Sequence, residues 1–267
     1  MSEATNSKTV EWTLEIVPSH AENIHVFEGL VREIFVTMIP GTDHNDIIKA
    51  LAAVQAGGFE PVPHLTARAF ADETALAGFC DGMRENGIKK ALVIAGGLST
   101  PEGPFADSLA VLKSNAFHNS GVTNIALAGH PEGNPADPDS MASLLAKWHY
   151  IQEQGWQAEI VTQWSFSPDK VSRYIEQLRE AGITCPIRIG VAGPASLKTL
   201  LKYAKICGVT AAAGVLKKQG FSLGRLLVSN DPKGFVNKVT GTEYFHLYPF
   251  GGLEKCAKWL TENAPPR

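Results

Sequence analysis

The chain has 267 residues, of which 44% are hydrophobic and 19% are charged, and its formal net charge is -3. This composition is typical of a globular protein with a sizeable core, and the near-neutral charge argues against nucleic acid or an anionic membrane as the main partner. The polar N-terminus does not resemble a signal peptide, and no apolar run is long enough to cross a bilayer. The four cysteines are widely spaced, which favours a reduced, cytoplasmic protein.

Apolar runs of strand length recur along the chain, with amphipathic segments between them. The predicted strands are residues 11–17, 33–39, 60–65, 90–95, 124–128, 159–163, 186–191 and 242–248. The predicted helices include residues 45–56, 74–86, 138–154, 169–181 and 195–207. Alternation of strand and helix predicts a parallel sheet, and about eight repeats predict an α/β fold of the closed (β/α)₈ TIM-barrel type. An open, doubly wound sheet is the main alternative.

One segment departs from this alternation. Residues 210–240 are rich in alanine and basic residues, and they are longer than a single short helix requires. We predict extra helices here, before the last strand. Because no stretch is rich enough in Pro, Gly or Ser to act as a linker, we predict one catalytic barrel domain over residues 1–267.

Chemistry in such a barrel is carried by the C-terminal ends of the strands and the loops that follow them. The polar residues at these positions are Glu15, Thr37, His64, Thr66, Arg68, His130, Glu132, Asn134, Gln163 and His246. Glu15 is embedded in apolar sequence, so burial is expected to raise its pKa and to suit it to general acid catalysis. The alternative is a solvent-facing residue on an alternating strand.

The other polar residues have more than one interpretation. His64 and His130 are candidates for catalysis, cofactor contact or a structural role, and they lack partners at metal-ligand spacing. Arg68 is suited to clamp a phosphate or carboxylate, although an ordinary surface arginine is equally consistent with the sequence. The Gln163 amide can recognise a heterocyclic edge or face water. Gly96 and Gly97 allow close approach of a ligand to the backbone or a tight turn.

Five segments together resemble the methylenetetrahydrofolate reductase family, in the same order along the chain. Residues 14–18 (Leu-Glu-Ile-Val-Pro) resemble the first strand, and residues 63–66 carry the motif Pro-His-Leu-Thr. Residues 128–135 resemble its His-Pro segment, residues 160–166 its Ile-Thr-Gln-Phe segment, and residues 244–248 its last barrel strand. The resemblance implies a TIM barrel that interconverts 5,10-methylenetetrahydrofolate and 5-methyltetrahydrofolate.

The resemblance also implies roles for individual residues. Glu15 matches the acid that protonates N10 of the folate, Gln163 matches a residue that binds the pterin, and Thr37 and His64 match positions near the flavin. We therefore predict Glu15 as the catalytic residue. The predicted substrate-binding residues are Gln163, Thr37 and Gly97, and the predicted cofactor-binding residues are His64, Thr66, Arg68, Gly96, His130 and Glu132.

Several departures from the family concern the cofactor. The family's Arg-Gly-Asp after the fourth strand is Ala-Gly-Gly at residues 95–97, and its FAD-tail residues align with Ser143, Ala146, His149 and Tyr150. Because two cations that would face a pyrophosphate are missing, FAD is expected to bind weakly or not at all. Hydride would then pass directly from NADH or NADPH. A conventional FAD-dependent member and a non-catalytic folate-binding relative are the alternatives, and family precedent suggests a homo-oligomer. The direction of the reaction stays open.

Overall fold

The structure, a computed structural model, describes residues 10–209 and 229–263. Within them, eight parallel strands close into a barrel, in which the first strand pairs with both the second and the last. The barrel strands are β1 (Glu11–Ile16), β2 (Glu33–Val36), β3 (Glu60–Thr66), β4 (Lys90–Ile94), β5 (Asn124–Gly129), β6 (Gln157–Thr162), β7 (Ile187–Ala192) and β10 (Tyr244–Tyr248). Two short strands, β8 (Ala195–Ser196) and β9 (Ser229–Asn230), form a separate antiparallel pair.

Helices follow most of the strands and cover the outside of the barrel. They are α1 (His44–Ala56), α2 (Glu73–Glu85), α3 (Ser108–Leu112), α4 (Asn115–His118), α5 (Ser140–Glu153), α6 (Pro168–Glu180), α7 (Leu197–Ile206), α8 (Lys233–Val236) and α9 (Leu253–Asn263). Between β1 and β2 the chain forms a 3₁₀ segment, Pro18–Phe27. No helix among the described residues is long and apolar enough to span a membrane.

The predicted TIM barrel is confirmed, and each of the eight predicted strands is present with ends shifted by a few residues. The helix predicted over residues 169–181 is present as α6, where the Ser167 side chain accepts a hydrogen bond from the Lys170 backbone N–H and Pro168 occupies the first turn. Of the extra helices predicted before the last strand, α8 lies in the described part. Residues 210–228 of that prediction lie outside the described residues.

The inside of the barrel is arranged in layers, because every second residue of a strand points inward. The middle layer is apolar and contains Phe35, Val62, Leu92, Ala126 and Val161. At the N-terminal ends of the strands lies an ionic layer, which is largely buried except for Glu11, whose side chain is 50% exposed. Its members are Glu11, Glu33, Lys90, Glu159 and Arg188.

The sequence analysis did not predict this ionic layer. Lys90 Nζ lies 2.7 Å from Glu33 Oε2 and 2.6 Å from Glu159 Oε1. Arg188 Nε lies 2.9 Å from Glu159 Oε2, and its Nη2 lies 2.6 Å from Glu11 Oε1. The layer stabilises the closed end of the barrel and leaves the opposite end, the mouth formed by the C-terminal strand ends, for chemistry.

Candidate functional site

The mouth of the barrel holds one carboxylate between two histidines. Glu15 on β1 places its Oε2 atom 3.2 Å from Nε2 of His64 on β3 and 3.4 Å from Nε2 of His246 on β10. His64 and His246 are buried, whereas the Glu15 side chain is 17% exposed and so reaches the mouth. The strand order brings the three side chains together, since β1 pairs directly with β10 and is separated from β3 only by β2.

The predicted direction of the Glu15 pKa shift is wrong. Burial acts to raise the pKa, as expected, but the charge of His64 and hydrogen bonds from His246 and His64 outweigh it and lower the pKa from 4.5 to about 2. The sequence analysis considered only the apolar neighbours of Glu15 along its own strand. The resting site therefore holds Glu15 as a carboxylate.

Because the pKa of Glu15 is lowered on folding, Glu15 contributes stability above pH 4.5, and this contribution is lost as the pH falls toward about 2. We expect Glu15→Gln to destabilise the protein at pH 7 by about 3 kcal/mol. The difference from wild type should shrink below pH 4.5. Urea unfolding of both proteins at pH 7 and pH 3 measures this, and a difference that grows on acidification would contradict the assigned direction.

A hydrogen bond and two aromatic neighbours fix the position of His246. Its Nδ1 atom lies 2.8 Å from the Thr13 hydroxyl oxygen, and burial lowers its pKa against the opposing effect of Glu15. The rings of Phe35 and Tyr248 meet it edge-on, with centroids 4.7 Å and 5.0 Å away. The sequence analysis named His246 only as a polar strand-end residue and gave it no role, because its partners lie on other strands.

Two predicted substrate-binding side chains at the mouth have polar groups that are not fully hydrogen-bonded. Thr37 is 8% exposed, and its hydroxyl oxygen has no hydrogen-bond partner among the described residues. Gln163 accepts a hydrogen bond at 3.0 Å from the backbone N–H of Trp164 through Oε1, which fixes the amide and leaves its NH₂ group as a donor. The Thr37 hydroxyl can therefore form a hydrogen bond with a ligand at the mouth.

Three predicted cofactor-binding residues make contacts that organise the protein itself. The Thr66 hydroxyl donates to the Met38 carbonyl at 3.1 Å. Gly96 has φ +95° and packs on Thr66 so closely that a Cβ would lie 2.2 Å from Cγ2. Arg68 donates from Nε to the Ala106 carbonyl and from Nη1 to the Leu98 carbonyl, at 2.8 and 2.9 Å. Arg68 thus orders the loop between β4 and α3.

Around Gly97 the space is open, since a Cβ built there would meet no atom within 4 Å. Gly97 is exposed and lies directly after Gly96 in the loop that follows β4. A ligand can therefore approach this part of the backbone.

A second polar group lies at the end of β5. Burial lowers the pKa of His130 to about 4, and the charge of Lys147 adds to this effect, so His130 is neutral. Glu132 accepts a hydrogen bond at 2.6 Å from the Ser165 hydroxyl and lies 3.8 Å from Lys170 Nζ. These contacts tie the loops after β5 and β6 together.

The sequence analysis missed Lys147. Its Nζ lies 3.2 Å from the Ser108 hydroxyl, and within residues 10–209 and 229–263 it forms no ion pair. Burial lowers the pKa of Lys147. Two positions on the same helix align with cationic residues of the family, but they supply no cation near the mouth. His149 is exposed, and the Tyr150 hydroxyl contacts His118 at 2.9 Å.

Aromatic side chains pack together near the C-terminal ends of β6 and β10 and against α7. The rings of Tyr203 and Phe250 stack with centroids 4.2 Å apart, and Phe250 also meets Trp164 and Tyr248. Beside them is a cavity of about 280 Å³ whose lining includes Ser165. In the described part of the chain no group of His, Cys, Asp or Glu is arranged to hold a metal ion, and the four cysteines are free.

Comparison with known proteins gives three results. The family model described as methylenetetrahydrofolate reductase matches residues 31–219. Methylenetetrahydrofolate reductase (NADH) 1 from Arabidopsis thaliana is 29% identical over 140 residues, which is 47% of this chain and 24% of the relative. The match thus spans about a quarter of that relative's length.

Among solved structures, a dihydropteroate synthase from Thermus thermophilus in complex with 6HMPPP superimposes with a TM-score of 0.50 at 12% identity. The match covers 96% of this chain and 94% of that chain. At this level of identity the likeness concerns the fold alone.

Proposed function

The chain belongs to the methylenetetrahydrofolate reductase family, and from this premise we propose that it interconverts 5,10-methylenetetrahydrofolate and 5-methyltetrahydrofolate. The donor in the reductive direction is a nicotinamide dinucleotide. The observation that carries the proposal is the Glu15 carboxylate at the barrel mouth, held through one oxygen by two histidines. A carboxyl group in this position, with the Gln163 amide donor directly after β6 at the same end of the barrel, suits a substrate that needs one proton delivered to a nitrogen.

Glu15 acts as the general acid on the folate. Its proton passes to N10 as the bond between N10 and the bridging carbon breaks, and the electron pair of that bond stays on N10. The positive charge that results is shared between N5 and the exocyclic carbon, which becomes the acceptor for hydride. The dinucleotide supplies this hydride when bound.

The low pKa of Glu15 in the resting site is compatible with this role. Glu15 is a carboxylate in the resting site, where its side chain is 17% exposed and reaches water. A ligand seated over Glu15 excludes water, and a low dielectric disfavours a charged carboxylate. Glu15 then takes up a proton, so the acid is formed where the substrate binds.

The remaining predicted residues are assigned to binding. Gln163, with its amide fixed by Trp164, presents its NH₂ group to the pterin. We assign Thr37, His64 and Gly97 to the side of the mouth that takes the nicotinamide, and the Thr37 hydroxyl, which has no hydrogen-bond partner among the described residues, supports a polar ligand there. We assign to Lys147, whose charge acts on His130, the role of offsetting the charge of a pyrophosphate. The name of the Arabidopsis relative supports NADH over NADPH.

We propose further that the chain works without flavin. Positions 149 and 150 supply no cation near the mouth, and Arg68 has its Nε and Nη1 donors engaged by backbone carbonyls. The second candidate function is that of a conventional FAD-dependent member. It is favoured by Lys147, whose charge would offset that of the FAD pyrophosphate. The one-domain organisation, cytoplasmic location and homo-oligomer stay predictions.

One experiment addresses both proposals. The protein is purified without added cofactor, its absorbance spectrum is recorded, and NADH oxidation is followed after methylenetetrahydrofolate is added. We expect no flavin absorbance band and folate-dependent NADH oxidation. A stoichiometric flavin band would overturn the flavin-free reaction, and absence of turnover with either NADH or NADPH, with or without added FAD, would overturn the reductase function.

A further inference from the structure

Both imidazoles at the mouth lie next to the same carboxylate oxygen, and His246 forms a hydrogen bond with it. The Nε2 atoms of His64 and His246 make their closest approaches to Oε2 of Glu15, at 3.2 and 3.4 Å. Among the described residues no donor forms a hydrogen bond with Oε1. The carboxyl group is therefore anchored through Oε2, whereas Oε1 has no hydrogen-bond partner within residues 10–209 and 229–263.

The neighbours of His246 select its tautomer. The Thr13 hydroxyl has two acceptors within reach, His246 Nδ1 at 2.8 Å and the Phe245 carbonyl at 3.5 Å. A hydroxyl hydrogen bond is normally 2.5 to about 3.0 Å long, so the hydroxyl proton is directed to Nδ1. A neutral imidazole that accepts at Nδ1 carries its hydrogen at Nε2, which faces Glu15 Oε2.

The imidazole ring of His246 also cannot rotate away from Glu15. His246 is fully buried, and the rings of Phe35 and Tyr248 close on it edge-on, with interplanar angles of 73° and 87°. A buried ring between two such neighbours cannot flip without displacing them. The hydrogen at Nε2 thus has a fixed direction.

We propose that Thr13 and His246 are positioning residues for Glu15. The Thr13 hydroxyl fixes the Nε2–H tautomer of His246, and this hydrogen anchors Oε2, so that the proton leaves from Oε1. When the proton has passed from Oε1 to N10, the carboxylate that remains is stabilised by His246 and regains its proton from water. This inference rests on the proposed function, because it assigns the groups that orient the acid of that reaction.

Other charged and titratable groups face this pair. Glu15 is faced by His64 from β3, by Tyr248 from β10 and by Cys207 at the end of α7. The charge of Arg188 on β7 acts on His246 as well. Thr13 carries no charge, so replacing it leaves the charge of every one of these groups in place.

The test compares Thr13→Val, which removes the hydroxyl at nearly constant shape, with Thr13→Ser, which keeps it. For Thr13→Val we expect kcat to fall about 10-fold, as for the loss of one hydrogen bond, with KM for folate little changed. In this variant the Glu15 carboxylate is less well stabilised, so the pKa of Glu15 rises. The decrease of activity at high pH should therefore begin about half a pH unit higher than in wild type. Thr13→Ser should restore both the rate and the pH profile.

A second measurement does not depend on turnover. The ¹⁵N chemical shifts of the His246 ring distinguish a nitrogen that carries hydrogen from one that does not. We expect Nε2 protonated and Nδ1 unprotonated in wild type and in Thr13→Ser, and a mixture of tautomers in Thr13→Val.

Each outcome decides the proposal. A wild-type ring with hydrogen on Nδ1, or a Thr13→Val enzyme with the wild-type pH profile, would overturn it. If wild type shows the expected tautomer but reduces no folate, the proposed function fails while the assignment of the tautomer by Thr13 stands. If Thr13→Val does not fold, the wild-type and Thr13→Ser spectra still test the tautomer.

Discussion

Replacement of Glu15 by glutamine is expected to lower kcat by a factor of about 100 to 10,000, which is the range for loss of a general acid. Glutamine has nearly the same shape, and its carbonyl oxygen can accept the hydrogen bond that His246 donates, so the mouth should keep its geometry. It cannot deliver a proton to N10. Ring opening would then depend on water, and KM for folate should change far less than kcat.

The control for this prediction is Glu60→Gln, at the opposite end of the barrel. Glu60 is the first residue of β3, and its side chain is 51% exposed in a surface pair with Arg32. An exposed pair contributes little to stability, so this variant should keep wild-type kcat. Both variants are assayed by folate-dependent NADH oxidation after their folding is checked by urea unfolding. Full activity in Glu15→Gln would remove Glu15 from the mechanism.

The inward direction of the site residues could be predicted from sequence. Glu15, Thr37, His64 and Gln163 stand at strand ends, and the alternation of side chains together with barrel closure brings strand ends to one mouth. The pKa of Glu15 could not be predicted in the same way. His246 is 231 residues away along the chain, and only the pairing of β1 with β10 brings it next to the carboxylate.

Neither side-chain contacts with backbone groups nor the rotation of a helix about its axis could be predicted from the sequence. Arg68 resembles a phosphate clamp, but its partners are the carbonyls of Leu98 and Ala106, which any residue type offers. Lys147 lies two residues before the aligned positions that lack the family's cations, and the direction of its side chain depends on where α5 packs. An ungapped alignment cannot supply that direction.

The ionic layer could not be predicted either, because its members stand at or near the starts of strands, where charged residues usually face solvent. In the barrel, Glu11, Glu33 and Glu159 share two cations, Lys90 and Arg188. The side chains of Lys90 and Glu159 are only 10% and 6% exposed. Removal of one partner of a buried ion pair leaves the other charge without compensation in a poorly solvated place.

We therefore expect Lys90→Met to lower the free energy of unfolding by about 3–5 kcal/mol. Methionine fills a similar volume, so the loss reflects charge more than packing, and two carboxylates lose the ammonium that lies within 2.7 Å of each. Urea unfolding at pH 7 measures the change. The matched control is Lys49→Met on α1, where Lys49 and Asp46 are 76% and 60% exposed and their pair should contribute less than about 1 kcal/mol. Equal losses in the two variants would mean that water reaches the layer and screens it as it screens the surface pair.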